Sequence, residues 1–345
     1  MNKIFTLFMA LSLFGLFSCK AYNDLDVNQF TEALQPYVQL VDVRTPEEFA
    51  EGRIPGAVNI DWNGGAFLSQ ARERLDATRP VYLYCRSGRR SASASKELSK
   101  AGFSVFNLLG GYLAWTESGM PVTKYDVETF LTDSGERVDI TLVKHGSLAL
   151  AYRGLTLHVD PVAGLGKPTD YAVEFPKADV LLVTHEHGDH LDDATLATLS
   201  REGTRLILNQ TSRNQIGRGE VIGNGEVRDL PEGIRLEAVP AYNTTPGREK
   251  FHPKGNGNGY VLTIDGLRIY VAGDTEDVPE MADLKDIDVA FLPVNQPYTM
   301  TVEQCVAAAR IIAPKVLIPY HSSNTDLTPI PDQLPGIDVR LRNMQ

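Results

Sequence analysis

The segment between Val180 and His190 constrains the fold of this chain more than any other. Residues 180–183 form an apolar run that predicts a buried strand, and four side chains that can bind metal follow within six residues. His185 and His187 lie two positions apart, so in extended chain they point to the same side. Asp189 and His190 come from the following turn, where they can serve a neighbouring ion. Solvation or packing seldom explains such a density, so the segment predicts a metal site at a strand end.

Two later strand ends carry side chains of the same kinds. Apolar strands predicted at 269–273 and 316–320 precede Asp274 and His321, and hairpin strands are predicted earlier, at 139–143 and 148–152. In this order the motifs resemble those of the metallo-β-lactamase superfamily. The resemblance implies an αββα sandwich with two divalent ions at one edge, zinc being expected and manganese or iron the alternatives. It also implies the ligands: His185 and His187 for the first ion, Asp189, His190 and His321 for the second, and Asp274 as the bridge.

One position departs from that family's pattern. The third histidine of the first site should follow the strand at 236–242, but the chain has Asn243 there, and its neutral carbonyl is a weak zinc ligand compared with imidazole. His252, nine residues later in a loop rich in glycine and proline, is the candidate substitute, and an exposed loop histidine is the alternative. His145 resembles a pocket histidine of the ascorbate-6-phosphate lactonase-like branch. His158 is expected to be structural.

The first part of the chain alternates strand-like and helix-like segments, which predicts a small parallel α/β sheet. Cys85 directly follows the strand predicted at 80–84, and a helix is predicted at 91–101. Backbone N–H groups of the intervening loop, the helix N-terminus and three arginines favour negative charge at the sulfur and would cradle an anionic substrate. A buried structural cysteine is the alternative. The expected catalytic residue is Cys85, and the expected substrate-binding residues are Arg86, Ser87, Gly88, Arg89 and Arg90.

This region resembles the rhodanese family. The resemblance rests on Asp42-Val43-Arg44, on residues 52–57, on the Cys85 loop and on Gly110-Gly111-Tyr112, which occur in the family's order. It implies that Cys85 accepts a sulfane sulfur as a persulfide and passes it to a nucleophile. The loop of six residues suits sulfur, because the related phosphatases are expected to use one residue more.

Length and charge set the remaining limits. A chain of 345 residues is expected to form two domains, which we place at 22–124 (rhodanese-like) and 138–323 (metallo-β-lactamase fold), with a linker at 125–137 and a tail at 324–345. The formal net charge of −11 argues against general binding of nucleic acid, which needs a basic face. With three cysteines, no disulfide framework is expected. Cys305 fits the apolar face of a helix at 301–312.

The N-terminus reads as a targeting signal. Residues 4–17 form an apolar or small-residue run, shorter than the roughly 20 residues of a membrane span. The run ends in Ser18-Cys19, which resembles a bacterial lipobox. The resemblance implies a signal peptide at 1–18, lipidation of Cys19 and a location in the bacterial envelope, anchored to a membrane outside the cytoplasm. A plain signal peptide is the alternative.

These features favour a two-activity enzyme that acts on small molecules. One activity is a sulfurtransferase with a sulfane-sulfur donor and acceptor; the other is a hydrolase of an ester, lactone, thioester or phosphoester, in which Asp189 would also orient the attacking hydroxide. The main alternative is a persulfide dioxygenase, a family that pairs the same two folds and uses one iron. A nuclease is disfavoured by the acidic charge. A non-catalytic sulfur-sensing or docking module is disfavoured by the intact Cys85 loop.

Overall fold

A computed structural model describes residues 22–34, 38–166, 168–342 and 344 of the chain. These residues divide into two compact units, and the boundary lies between Val122 and Thr123. The signal peptide and Cys19 predicted at the N-terminus lie outside the described residues. Among the described residues, no helix combines the length and the apolar character that crossing a bilayer requires.

The first unit is built on a parallel sheet of five strands, in the order β1-β5-β4-β2-β3. Apolar side chains pack on both faces of the sheet, as expected for parallel strands. The strands are β1 (Asn23–Leu25), β2 (Gln39–Asp42), β3 (Val58–Asn59), β4 (Val81–Tyr84) and β5 (Val105–Leu108). The helices are α1 (Val27–Ala33), α2 (Pro46–Glu51), α3 (Phe67–Arg74), α4 (Arg89–Lys100) and α5 (Gly111–Glu117).

Local sequence explains where the helices of this unit begin. The Thr45 hydroxyl accepts a hydrogen bond from the Glu48 backbone N–H, and the Glu48 carboxylate accepts one from the Thr45 backbone N–H. Pro46 takes the first helical position of α2. Gly88 caps α4 in the left-handed conformation, with φ of 87°. That turn starts α4 at Arg89, two residues before the predicted start.

The second unit is a sandwich of two seven-stranded sheets, in the orders β12-β11-β10-β9-β8-β7-β6 and β13-β14-β15-β16-β17-β18-β19. Each sheet is antiparallel in one half and parallel in the other. The first sheet contains β6 (Asp126–Leu131), β7 (Arg137–Lys144), β8 (Ser147–Tyr152), β9 (Leu155–Val159), β10 (Val180–Val183), β11 (Arg205–Leu208) and β12 (Glu220–Val221). The second contains β13 (Val227–Asp229), β14 (Arg235–Ala241), β15 (Gly257–Ile264), β16 (Leu267–Val271), β17 (Val289–Pro293), β18 (Val316–Tyr320) and β19 (Asp338–Val339).

Three apolar layers hold this sandwich together. The central layer joins the facing sides of the two sheets, and it includes the fully buried Leu182 and Leu236. Burial of each such side chain contributes about 1.5–3 kcal/mol. Two further layers pack helices on the outer faces, and Cys305 lies buried in one of them, as predicted. The helices are α6 (Tyr171–Glu174), α7 (Asp193–Leu199), α8 (Gln210–Ile216), α9 (Val302–Ile312) and α10 (Ile330–Gln333), which completes the expected αββα arrangement.

The expected linker and tail are wrong in one respect, because both contain sheet strands. Within 125–137, β6 pairs antiparallel with β7. Within 324–345, β19 pairs with β18, and Met344 is buried in the central layer. The physical reason is a long-range contact: Glu128 of β6 is buried and forms ion pairs with Arg340 and Arg342. Charged residues in both segments therefore belong to the sandwich.

Candidate metal centre and cysteine loop

Three histidines meet where β10 ends and where the loop between β14 and β15 folds back. Nε2 of His185 lies 3.0 Å from Nδ1 of His187. The ring of His252 lies 5.2 Å from that of His185 and 5.0 Å from that of His187, between centroids. One ligand atom from each of the three lies within 4.8 Å of the other two. The structure thus brings His252, the candidate substitute, to the pair of histidines that lacks a third partner in the sequence motif.

A second group of side chains gathers beside the first. Asp189 Oδ2 lies 3.5 Å from His321 Nε2 and 3.1 Å from His145 Nε2. The ring of His145 also contacts the ring of His321, with 3.6 Å between centroids. His190 completes the group, and all four ligand atoms lie within 4.8 Å of one another. His145 therefore faces the pocket, and it belongs to the second group.

Asp274 lies between the two groups. Its Oδ2 is 3.2 Å from His252 Nε2 and 3.9 Å from His185 Nε2. Its Oδ1 is 3.3 Å from His190 Nε2 and 3.3 Å from His321 Nε2. One oxygen therefore faces each group, which is the arrangement that a bridging carboxylate requires.

Buried hydrogen bonds orient the rings. His190 Nδ1 lies 2.7 Å from Asp160 Oδ2, and both side chains are fully buried. Asp160 also accepts hydrogen bonds from the backbone N–H and the hydroxyl of Thr184, and that hydroxyl lies 3.0 Å from Nδ1 of His185. These contacts direct Nε2 of His190 and of His185 toward Asp274. A carboxylate behind an imidazole is a common support for a metal-binding histidine.

The electrostatics of the site suit metal ligands. Burial lowers the pKa of His185 well below its usual value, which keeps its imidazole neutral. Burial opposes ionisation of Asp274, but the neighbouring His321 and His190 outweigh it and hold the pKa of Asp274 well below the ordinary range. His185 therefore offers a neutral imidazole and Asp274 an ionised carboxylate.

Several buried polar atoms of the centre have no hydrogen-bond partner among the residues that the structure describes. They are His190 Nε2, His252 Nε2, His321 Nε2 and Asp274 Oδ1. Buried polar groups are nearly always paired, so atoms that converge without a partner indicate a missing ligand. Imidazole and carboxylate are donors that zinc, iron and manganese accept. The residues therefore fit metal ions.

Two further predicted positions lie outside the ligand groups. The side-chain amide of Asn243 donates to the backbone carbonyls of Tyr298 and Arg248. His158 is fully buried against Tyr171 and Phe175, and within the described part of the chain neither of its ring nitrogens has a hydrogen-bond partner. His158 therefore packs as a core residue, as expected.

In the first unit, Cys85 follows β4 directly and is buried. The hydroxyl of Ser91 lies 3.5 Å from its sulfur. The backbone carbonyl of Cys85 accepts a 2.8 Å hydrogen bond from the Tyr112 N–H, and the N–H of Leu113 donates to the carbonyl of Arg86. Gly111 allows this close approach, because a Cβ there would lie 2.3 Å from the Cys85 carbonyl oxygen. The first turn of α5 thus fixes the backbone of the cysteine loop through these two hydrogen bonds.

The arginines of the loop differ in their surroundings. Arg90 forms a bidentate ion pair with Glu48, at 2.7 and 2.8 Å. This ion pair raises the pKa of Arg90, and the neighbouring Cys85 raises it further. Arg86 and Arg89 are exposed, so their side chains can meet a substrate from solvent. Ser87 is also exposed, and Gly88 forms the left-handed turn at the start of α4. Arg86 and Arg89 therefore remain exposed, whereas Arg90 is engaged by Glu48.

Asp160 and Met344 are among the contributors to the metal centre that sequence reasoning missed. Asp160 had a local signal, since it directly follows β9, which lies beside the strand that precedes His185, and neighbouring parallel strands end at one edge. The backbone carbonyl of Met344 accepts a 2.5 Å hydrogen bond from the His145 N–H, and no local sequence signal indicated this contact.

Comparison with known proteins agrees with this geometry. Residues 139–321 match the β-lactamase superfamily domain, and residues 26–118 match the rhodanese-like domain. The UPF0173 metal-dependent hydrolase of Thermococcus kodakarensis is 31% identical over 171 residues, 47% of this chain and 75% of that protein.

Two solved structures are also similar. A protein of Parabacteroides distasonis classed as a metal-dependent hydrolase is 52% identical, with a TM-score of 0.62, over 64% of this chain and 100% of its own. Igni18, a metallo hydrolase of Ignicoccus hospitalis, is 26% identical, with a TM-score of 0.52, over 60% and 95%. The superfamily match spans more than half of the chain, so this protein belongs to the β-lactamase superfamily, whose domain here follows a rhodanese-like domain.

Proposed function

We propose that this chain is a bifunctional enzyme: a dinuclear metal-dependent hydrolase joined to a sulfurtransferase that uses Cys85. The observation that carries the hydrolase half is Asp274, because each of its oxygens faces a separate group of histidines. His185, His187 and His252 would hold the first ion with Asp274. Asp189, His190 and His321 would hold the second, again with Asp274. Zinc is the metal we propose for both positions.

Ions held in this way would polarise an ester, lactone, thioester or phosphoester and activate a water molecule. The chain's own contribution is orientation. The side chain of Asp189 is one-third exposed, so it can reach a water at the open side of the centre. Burial opposes its ionisation, but hydrogen bonds with His145 and His321 hold the pKa of Asp189 below its ordinary value. Asp189 therefore stays an acceptor, which can align the water's proton away from the substrate.

The hydrolase is tested by metal analysis of the full chain lacking the signal segment, together with a substrate screen. We expect two equivalents of zinc and zinc-dependent hydrolysis of at least one ester, lactone, thioester or phosphoester. Asp274→Ala should lose both ions, whereas Asp179→Ala should keep them, because Asp179 lies at the opposite end of β10 from His185. One equivalent of iron with oxygen uptake in the presence of a glutathione persulfide would overturn the proposal in favour of a persulfide dioxygenase.

In the first unit, the Cys85 thiolate would attack the outer sulfur of a donor such as thiosulfate. The sulfur–sulfur bond of the donor breaks, sulfite leaves with its electron pair, and Cys85 becomes a persulfide. An acceptor such as cyanide then takes the outer sulfur and returns the thiolate, so no external oxidant or reductant is needed. Exposed Arg86 and Arg89 support this step because they can balance the charge of an anionic donor.

The sulfurtransferase is tested by measuring thiocyanate formed from thiosulfate and cyanide. Cys85→Ser should abolish transfer, since a hydroxyl does not form a persulfide. Cys305→Ala is the matched control: burial raises the pKa of that thiol to about 12, so it should contribute no thiolate. Full transfer that survives Cys85→Ser would show that Cys85 does not carry the sulfur, and the proposed sulfurtransferase role of this loop would be wrong.

We also propose that lipid on Cys19 anchors the enzyme in the bacterial envelope. The support is the sequence of residues 4–19 alone. Expression in a bacterium supplied with radiolabelled palmitate should label the native chain and not Cys19→Ala. Labelling of neither protein would favour a plain signal peptide.

A further inference from the structure

His252 reaches the metal centre from a loop rather than from a strand end. It lies between Ala241, where β14 ends, and Gly257, where β15 begins. A loop has no ladder of hydrogen bonds to fix its course, so a ligand placed there depends on other contacts. Side chains that fix this loop would therefore control how well His252 can meet an ion.

One backbone carbonyl, that of Tyr298, holds both ends of the segment that carries His252. The side-chain amide of Asn243 donates to it at 2.7 Å, and Nδ1 of His252 lies 3.1 Å from it. The backbone N–H of Asn243 also donates to the carbonyl of His252 at 2.9 Å. Because a carbonyl only accepts, this contact would hold the ring proton on Nδ1 when an ion binds Nε2, which lies 3.2 Å from Asp274 Oδ2.

A buried carboxylate fixes the start of the same loop, directly after Asn243. Glu276 is fully buried, and its Oε2 accepts hydrogen bonds from the backbone N–H groups of Thr244 and Thr245, at 2.8 and 2.6 Å. The hydroxyl of Thr244 adds a third bond at 3.1 Å. Glu276 lies two residues after Asp274, so one short turn carries both the bridging carboxylate and the support for the His252 loop.

We propose that Asn243 and Glu276 are positioning residues that deliver His252 to the first metal site. Asn243, which occupies the position where a third histidine is expected, would thus support His252, the histidine that replaces it. This inference rests on the proposed function, in which His252 binds the first ion. Loss of a side chain that orients a ligand typically costs about 10–100-fold in metal affinity, and we expect that loss at the first site.

The test measures cobalt binding to the metal-free full chain lacking the signal segment, by visible absorption and by competition with a chelator. Asn243→Ala and Glu276→Ala should each lower the affinity of the first site for cobalt about 10–100-fold and change the absorption of the ion bound there. The affinity of the second site should not change. Glu276→Gln keeps an amide oxygen for the bonds that Oε2 accepts but gives up the 3.5 Å ion pair of Oε1 with Arg248, so it should lose less affinity than Glu276→Ala. If Glu276→Ala does not fold, Glu276→Asp, which is one methylene shorter, serves in its place.

Two references separate the possible failures. His252→Ala should remove the first ion; if it retains both ions with native affinity, the proposed ligand set is wrong. If His252→Ala loses the ion but Asn243→Ala and Glu276→Ala bind it as the native chain does, the positioning roles are wrong and the proposed function stands. A lower melting temperature of the metal-free variants with unchanged first-site affinity would also overturn the positioning roles. Asp179→Ala, which removes a carboxylate that accepts a backbone N–H elsewhere, should bind both ions normally.

Discussion

Replacing Asp160 by asparagine tests the support behind the proposed second metal site with little change of shape. Asp160 Oδ1 accepts the N–H of Thr184 at 2.7 Å, and Oδ2 accepts its hydroxyl at 2.6 Å and the ring N–H of His190 at 2.7 Å. In Asp160→Asn, an NH₂ group must take one of these positions. If it faces His190, the ring must accept through Nδ1 and carry its proton on Nε2, the atom that faces Asp274. If it faces the Thr184 N–H, two donors oppose each other.

Both orientations weaken the second site. Loss of such a partner typically costs about 10–100-fold in metal affinity, which corresponds to about 1.4–2.8 kcal/mol. The first site should lose less, since Asp160 reaches His185 only through the hydroxyl of Thr184. The second ion should therefore be the weaker one in Asp160→Asn.

The assay is zinc titration of the metal-free protein against a competing chelator, with the number of bound ions measured independently. Asp288→Asn is the matched control, because Asp288 accepts the backbone N–H of Arg268 at the start of β16, away from the metal centre. Asp160→Asn that binds two ions with native affinity would refute the reasoning, and so would an equal loss in the control.

Three further predictions follow from burial and close contact. Burial lowers the pKa of His158 to about 3 from its ordinary 6.5, so the free energy of unfolding should fall by about 1.4 kcal/mol per pH unit between pH 6.5 and pH 3 and show no such loss above pH 6.5. His158→Leu should flatten that pH dependence in urea unfolding, and an unchanged dependence would contradict the prediction. Gly111→Ala should abolish sulfur transfer and spare hydrolysis, because its Cβ would strike the Cys85 carbonyl; native transfer rates would show that the loop can yield. Leu236→Ala should lower the free energy of unfolding by about 2–5 kcal/mol, whereas Val173→Ala, at an 80% exposed side chain, should leave it unchanged; equal effects would contradict the assigned core.

The parts of the site that could be predicted from the sequence lie at strand ends. His185, Asp274 and His321 each follow an apolar strand of four or five residues, and neighbouring strands end at a common edge, so their meeting follows from the fold. His252 could be named only as a candidate, because its position depends on a loop whose supports, the Tyr298 carbonyl and Glu276, are not encoded in its own neighbourhood.

The missed strands have a similar cause. β6 carries a charged residue, Glu128, on its buried side, and this reads locally as a polar linker. Its partners, Arg340 and Arg342, lie more than two hundred residues later, so no local pattern could pair them. Hydrophobic periodicity predicts which segments enter a core, but it does not predict which charges neutralise each other there.

The spread of the ligands along the chain has a consequence for how the protein is made. The second group takes His145 from the turn between β7 and β8, and His321 directly follows β18, the last strand but one. Synthesis proceeds from the N-terminus, so a ribosome must release almost the whole sandwich before these two rings can meet. Metal binding by the second group should therefore be a late event in biosynthesis, completed only after the chain has left the ribosome.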